Sequence, residues 1–156
     1  MYIKAITKEQ ALQKARHYCA YQERSHYEVK EKLYSFKLRK GDVEEIISKL
    51  IEDDYLNESR FAVQYALGKF RMKHWGRIKI KAELSLRQVS SYNIKTALAE
   101  IDDDEYFKTI MRLIRKKYTS LKTDSDQIKK LKTHKYLLQK GFENNVIYTA
   151  LNRTNE

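Results

Sequence analysis

The sequence predicts an all-α fold of three tandem three-helix modules, and three observations lead there. The 156 residues hold no proline and four glycines. Proline breaks helix interiors and glycine weakens them, so their scarcity favours long helices over a turn-rich β fold. Apolar residues recur at helical spacing along the chain. The pattern then repeats: Leu33 and Leu84 lie 51 residues apart, Leu84 and Leu137 lie 53 apart, and Val43, Ile94 and Ile147 show the same two intervals. Ser25 and Gly76 are also 51 apart. A period of this size belongs to stacked helical architectures, in which neighbours share apolar surface that one small module could not bury alone.

The elements follow in order. Thr7 with Gln10, and Ser25 with Glu28, read as capping boxes. Leu12, Ala15 and Cys19 mark a first helix, Val29, Leu33 and Phe36 a second, and Val43, Ile46, Ile47 and Leu50 a strongly amphipathic third. Phe61, Ala62, Tyr65 and Ala66 begin the next round. Ile80, Leu84 and Arg87 share one face of a fifth helix, and Ile94, Ala97, Leu98 and Ile101 restate the third. Phe107, Ile110, Met111, Ile114 and Tyr118 mark a seventh helix. Ile128, Leu131, Lys135 and Leu138 mark an eighth, and Ile147, Ala150 and Leu151 close the chain. The module boundaries implied are 1–53, 54–102 and 103–156.

Charge narrows the function classes. There are 32 Lys and Arg against 21 Asp and Glu, a net of +11. Residues 1–53 carry +2, 54–101 carry +5 and 102–156 carry +4. Such an excess suits a polyanionic or acidic partner. Hydrophobic content of 42% is too high for a disordered tail. Twelve tyrosines suit small cores and wet interfaces. The single cysteine, Cys19, cannot form an internal disulfide, which fits a reducing compartment. The opening Met1-Tyr2-Ile3-Lys4-Ala5 is not followed by an apolar signal segment, and no run approaches a membrane span. A soluble, cytoplasmic, monomeric protein is expected.

The sharpest basic run is Lys69, Arg71, Lys73, Arg77, Lys79 and Lys81, with no acid between Ser59 and Ala82. Trp75-Gly76 in its middle reads as the turn between the fourth and fifth helices. Glycine there permits close backbone approach, and the N–H groups just after it would join the basic side chains as an anion site requires. Lys108, Arg112 and Arg115 share a helix face, with Lys116 and Lys117 adjacent. The plainer reading stands beside this: charge runs coat solvated helix faces, and Trp75 plugs the core between two helices. The acidic stretch Asp102-Asp103-Asp104-Glu105 is best placed at a helix N-terminus, where carboxylates are favourable, rather than at a metal.

No catalytic, metal or cofactor constellation is visible. His17, His26, His74 and His134 form no His-x-x-x-His and no zinc signature with Cys19. Four dispersed glycines cannot build a phosphate cradle. The expectation is a non-enzymatic binding protein. A helix-turn-helix transcription factor or a structured-RNA binder is the alternative, since three-helix modules can also present a helix to a groove.

The segment Asp54-Tyr55-Leu56-Asn57-Glu58-Ser59-Arg60-Phe61-Ala62 resembles the signature of the RecX family, an apolar-acidic connector leading into Arg-Phe-Ala. Tyr65, Lys69-Phe70-Arg71, Trp75-Gly76, Ile80, Leu84, Val89, Ile94 and Ala97-Leu98 continue it. Arg24-Ser25, Val29 and Lys32-Leu33 resemble the first module of that family, and Lys140-Gly141-Phe142, Val146-Ile147 and Ala150-Leu151 the third. Tyr34-Ser35-Phe36 matches loosely. The resemblance implies an elongated, curved array of three modules, without catalysis or cofactor. It implies binding to the RecA filament and inhibition of strand exchange and of the co-protease activity tied to the SOS response. It also implies weak binding to single- and double-stranded DNA. The side chains expected to meet partner or DNA are Arg60, Lys69, Arg71, Lys73, Trp75, Arg77, Lys79, Lys81, Lys108, Arg112, Arg115 and Lys116.

Overall fold

A computed structural model of the chain describes residues 5–153. The opening Met1–Lys4, read above for a signal segment, lies outside the described residues. Nine helices fill the described chain: α1 (Lys8–Tyr21), α2 (His26–Ser35), α3 (Lys40–Glu52), α4 (Glu58–Lys73), α5 (Arg77–Leu86), α6 (Ser91–Ala99), α7 (Asp103–Ser120), α8 (Asp126–Gln139) and α9 (Asn144–Arg153). They form three three-helix modules, α1–α3, α4–α6 and α7–α9, so the all-α expectation holds.

Local chemistry sets the helix starts. At α1 the capping box is complete: the Gln10 N–H donates to Thr7 Oγ1 at 3.1 Å and the Thr7 N–H to Gln10 Oε1 at 2.9 Å. At α2 only the Ser25 half forms among the described residues, at 3.0 Å from the Glu28 N–H. The Glu28 carboxylate instead meets the Arg87 guanidinium at 3.5 Å. Asn57 caps α4 through the Arg60 N–H, and Asp102 caps α7 through the Glu105 N–H, both at 2.9 Å. Asp103, Asp104 and Glu105 occupy the first turn of α7, where the helix dipole favours them.

The repeat is written into the turns as well as the helices. The connection from the second to the third helix of each module contains one residue in the left-handed region: Lys37 at φ 65°, Gln88 at 59° and Gly141 at 92°. These fall at the same 51- and 53-residue intervals as Leu33, Leu84 and Leu137, which lie just ahead of them and are fully buried. The turn lets the chain reverse so that the third helix packs back on the second, as α3 does on α2 and α9 on α8. Burial of each leucine side chain stabilises by roughly 1.5–3 kcal/mol. A non-glycine residue in that conformation costs about 1 kcal/mol, which the packed turn offsets.

One prediction from periodicity is corrected. Ile128, Leu131 and Leu138 of α8 are exposed, Leu131 by 72%. The buried side chains of α8 are Thr133 and Leu137. The helix carries apolar residues around much of its circumference, so spacing alone admits more than one inward face.

Chain contacts divide the protein into two compact units that cut through the middle module. The first comprises the chain up to Gln64 together with Leu84–Thr96; the second comprises Tyr65–Glu83 together with the chain from Ala97. In the first, Ala11, Ala15, Val29, Leu33, Val43, Ile46 and Leu50 form the core, with Leu56 joining from the connector after α3. Asn93 donates to Glu58 at 2.6 Å there, tying the first turn of α4 to α6. In the second, Phe70, Tyr106 and Phe142 stack in series with ring centroids 5.6 and 5.3 Å apart. Such tilted pairs add to the area they bury.

Candidate nucleic-acid interface

The turn between α4 and α5 organises the second unit. His74 takes φ 56°, ending α4, and Gly76 is buried. A Cβ on Gly76 would collide with the backbone of Gly141 and Phe142, and one on Gly141 would collide with Lys79. Two turns that lie far apart in the chain therefore meet backbone to backbone. The Gly76 N–H donates to the Lys140 carbonyl at 2.8 Å, and the Ile78 N–H to the Gly141 carbonyl at 2.9 Å. The Arg77 N–H donates to the Tyr106 hydroxyl at 3.1 Å. The expectation that these N–H groups stand free for an anion is thus corrected. They are consumed in packing α5 onto the third module's turn.

The candidate side chains sort by what they touch. Arg60, in the first unit, pairs with Glu23 at 2.5 Å and with Asp54 at 3.1 Å. Arg77 lies over the Tyr106 ring at 3.9 Å and pairs with Asp103 at 2.6 Å and Glu143 at 3.3 Å. The Tyr106 hydroxyl donates to Glu143, which completes a charged, half-buried strut. Burial, then the Glu143 hydrogen bond, raises the Tyr106 pKa above the ordinary phenol range. Arg71 meets Glu105 at 3.4 Å on the surface. Lys73, Lys81, Lys108, Arg115 and Lys116 are exposed. Arg112, also exposed, donates to Thr109 at 3.2 Å.

A different set converges. The Lys79 ammonium sits 4.6 Å from the Trp75 ring centroid and the Lys69 ammonium 5.1 Å from it. Both stabilise through the ring quadrupole. Trp75 is half-buried and stacks edge-on against Tyr65 at 6.5 Å, so it is neither a core plug nor fully exposed. Lys140, whose carbonyl holds Gly76, has its ammonium 5.7 Å from the Tyr136 ring, with Lys117 at 4.8 Å from the same ring. Burial first, then the positive charges of Lys79 and Lys116, depress the Lys140 pKa. Burial first, then Lys140, Arg112 and Lys116, depress that of His74. Lys69, Lys79, Arg112, Lys116 and Lys140 make no ion pair among the described residues. Lys140 and Tyr136 are absent from the contact residues read from the sequence, because nothing local joins the end of α8 to the Trp75 turn.

Family models for RecX match this chain twice, the second three-helix domain over residues 57–98 and the third over 103–151. The chain belongs to the RecX family. Its curated relatives include Regulatory protein RecX of Bacillus cytotoxicus, 31% identical over 139 residues. That match takes in 89% of this chain and 52% of the relative. Regulatory protein RecX of Bacillus thuringiensis is 29% identical over 134 residues, 86% of this chain and 50% of that protein. The chain therefore spans about half the length of the curated relatives it matches. The crystal structure of RecX from Lactobacillus salivarius superposes with a TM-score of 0.88 at 28% identity, covering 95% of this chain and 96% of that one. A second crystal structure of regulatory protein RecX superposes at 0.82 and 20% identity, which speaks to the fold alone.

In RecX terms, the diagnostic connector is structural. Leu56 is buried, Asn57 caps α4, Arg60 bridges Glu23 and Asp54, and Phe61 and Ala62 are buried. Among the described residues no group of three His, Cys, Asp or Glu could hold a metal, and no helix is long and apolar enough to cross a membrane.

Proposed function

We propose that this chain regulates a RecA recombinase by binding the RecA–DNA filament and restraining its strand-exchange and co-protease activities. Membership of the RecX family carries this reading, and the basic surface of the second unit supports it. The mechanism is binding without a covalent step. Modules bounded at residues 53 and 102 would lie along the filament and bridge adjacent subunits, with exposed Lys73, Lys81, Lys108, Arg115 and Lys116 facing acidic surface or DNA phosphate. Several modest contacts of this kind reinforce one another.

The test adds purified protein to preassembled RecA filaments and follows ATP hydrolysis and strand exchange together. The expected result is dose-dependent loss of strand exchange. No effect on either activity at saturating protein would overturn the reading. Binding to labelled DNA should be weak, salt-sensitive and indifferent to sequence. A strong preference for one short duplex would instead favour a transcription factor.

A further inference from the structure

We propose that the phosphates of a single nucleic-acid strand seat in the second unit on Lys79, Lys140, Lys116 and Arg112, beside Trp75. This rests on the reading that the chain works at a DNA-bound recombinase, and it names a contact site within that reading.

Three observations carry it. The first is construction. The Gly76–Gly141 contact holds the backbone of Lys79 against Gly141, next to Lys140, and the Gly76 N–H fixes the Lys140 carbonyl at 2.8 Å. Two lysines 61 residues apart in sequence, one in the first turn of α5 and one capping the end of α8, are thus held close together. A preorganised pair of cations loses less freedom on binding than the same pair on mobile loops.

The second is charge without compensation. Of the basic side chains in this unit, Arg71 is matched by Glu105, Arg77 by Asp103 and Glu143, and Lys132 by Asp124. The Lys79, Arg112, Lys116 and Lys140 group has no carboxylate partner among the described residues. Close like charges raise the free energy of the empty site, and a polyanion relieves that cost as it binds.

The third is the aromatic rings between the cations. Lys69 and Lys79 reach over Trp75, and Lys117 and Lys140 over Tyr136. A phosphate that draws these ammonium groups outward leaves ring faces open to a base. Alternating cations and rings are the pattern by which strands are held without sequence preference. An acidic protein segment would use the cations and leave the rings without a role.

Trp75 is the only tryptophan, so its fluorescence reports this place alone. The experiment titrates oligothymidylate into the full chain, with no recombinase present, at several salt concentrations. The expected result is saturable change in Trp75 emission. Each neutralised contact to a single strand contributes roughly 0.7 to the salt slope, so Lys79→Gln with Lys140→Gln should flatten it by about 1.4. The same double variant should weaken binding roughly tenfold or more at low salt. Both glutamines keep the Cβ and stem that pack on the turn. Arg112→Gln with Lys116→Gln, at exposed positions of α7, gives a second pair that alters no buried side chain and gives up the Arg112–Thr109 hydrogen bond. Unchanged affinity and slope in both pairs overturn the site, whatever the protein does to a recombinase. Equal binding of polyglutamate at equal charge overturns the nucleic-acid assignment. Loss of oligothymidylate binding in both pairs supports the site even where recombinase assays show no effect, an outcome that would sink only the functional reading.

Discussion

The two compact units are nearly equal in length but not in charge. The first has 14 basic and 11 acidic side chains, the second 18 and 10. The difference lies in what meets what as well as in number. In the first unit Lys8 pairs with Glu45, Arg16 and Lys49 with Asp53, and Arg60 with Glu23 and Asp54. In the second, Arg77 is similarly absorbed, but Lys69, Lys79, Arg112, Lys116 and Lys140 are not. Composition therefore says that the protein is basic, and pairing says where that basicity is available. Each unit also carries its own probe, the single Cys19 in the first and the single Trp75 in the second.

The largest expected effects come from the repeated leucines. Leu33→Ala in the first unit and Leu137→Ala in the second should each destabilise by about 2–5 kcal/mol, because both sites are fully buried. Denaturant unfolding followed by Trp75 emission, alongside labelling of Cys19, checks both. Burial pushes the Cys19 thiol up to about 11, so native protein should label slowly near pH 8 and each leucine variant faster. Equal labelling of native and unfolded protein would contradict the buried placement.

Next come two positions that the repeat makes equivalent. Gly76→Ala should cost about 1–3 kcal/mol, since the new Cβ must displace backbone rather than a flexible side chain. Ser25→Gly, at the corresponding position of the first module, should cost only a few tenths of a kcal/mol, since glycine is a tolerable N-cap. Comparable losses at the two sites would show that the Gly76–Gly141 contact is not what distinguishes the units.

Charge removal should separate strut from surface. Arg77→Ala breaks contacts to Asp103, Glu143 and Tyr106 and should cost about 1–2 kcal/mol. Lys81→Ala, on an exposed side chain, should stay within about 0.5 kcal/mol. Thermal unfolding distinguishes them, and a silent Arg77→Ala would return that residue to the binding surface.

The smallest effect is protonic. His26 and His74 are both held below the ordinary histidine value of 6.5, chiefly by burial. A depressed folded-state pKa means the unfolded chain takes up the proton first, so stability is fully present above pH 6.5 and lost as pH falls through the folded value. His74 also faces Lys140, Arg112 and Lys116. Bound oligothymidylate should therefore raise the His74 titration midpoint, read by NMR, and leave that of His26 in place. Equal movement of both would break the contrast between the units.

Much of the architecture was legible in sequence. The 51- and 53-residue intervals gave the modules, and the same intervals reappear in the turns at Lys37, Gln88 and Gly141. Thr7, Asn57 and Asp102 acted as caps because capping is decided within three or four residues. The candidate surface was legible only in part. Lys69, Lys79, Arg112 and Lys116 stood out as local runs, as did Arg77, while Arg60 entered through the connector motif, and composition cannot tell a paired arginine from an unpaired lysine.

The sequence by itself determined the helical class, the module count and the excess of positive charge, because periodicity, capping and net charge are properties of short segments or of the whole count. Only the tertiary structure decided which face of α8 turns inward, that the N–H groups of Gly76, Arg77 and Ile78 are spent on Lys140, Tyr106 and Gly141, and that Lys140 joins Lys79. These depend on where distant backbone meets, and in this protein that meeting is set by two glycines, Gly76 and Gly141, with no room for a side chain between them.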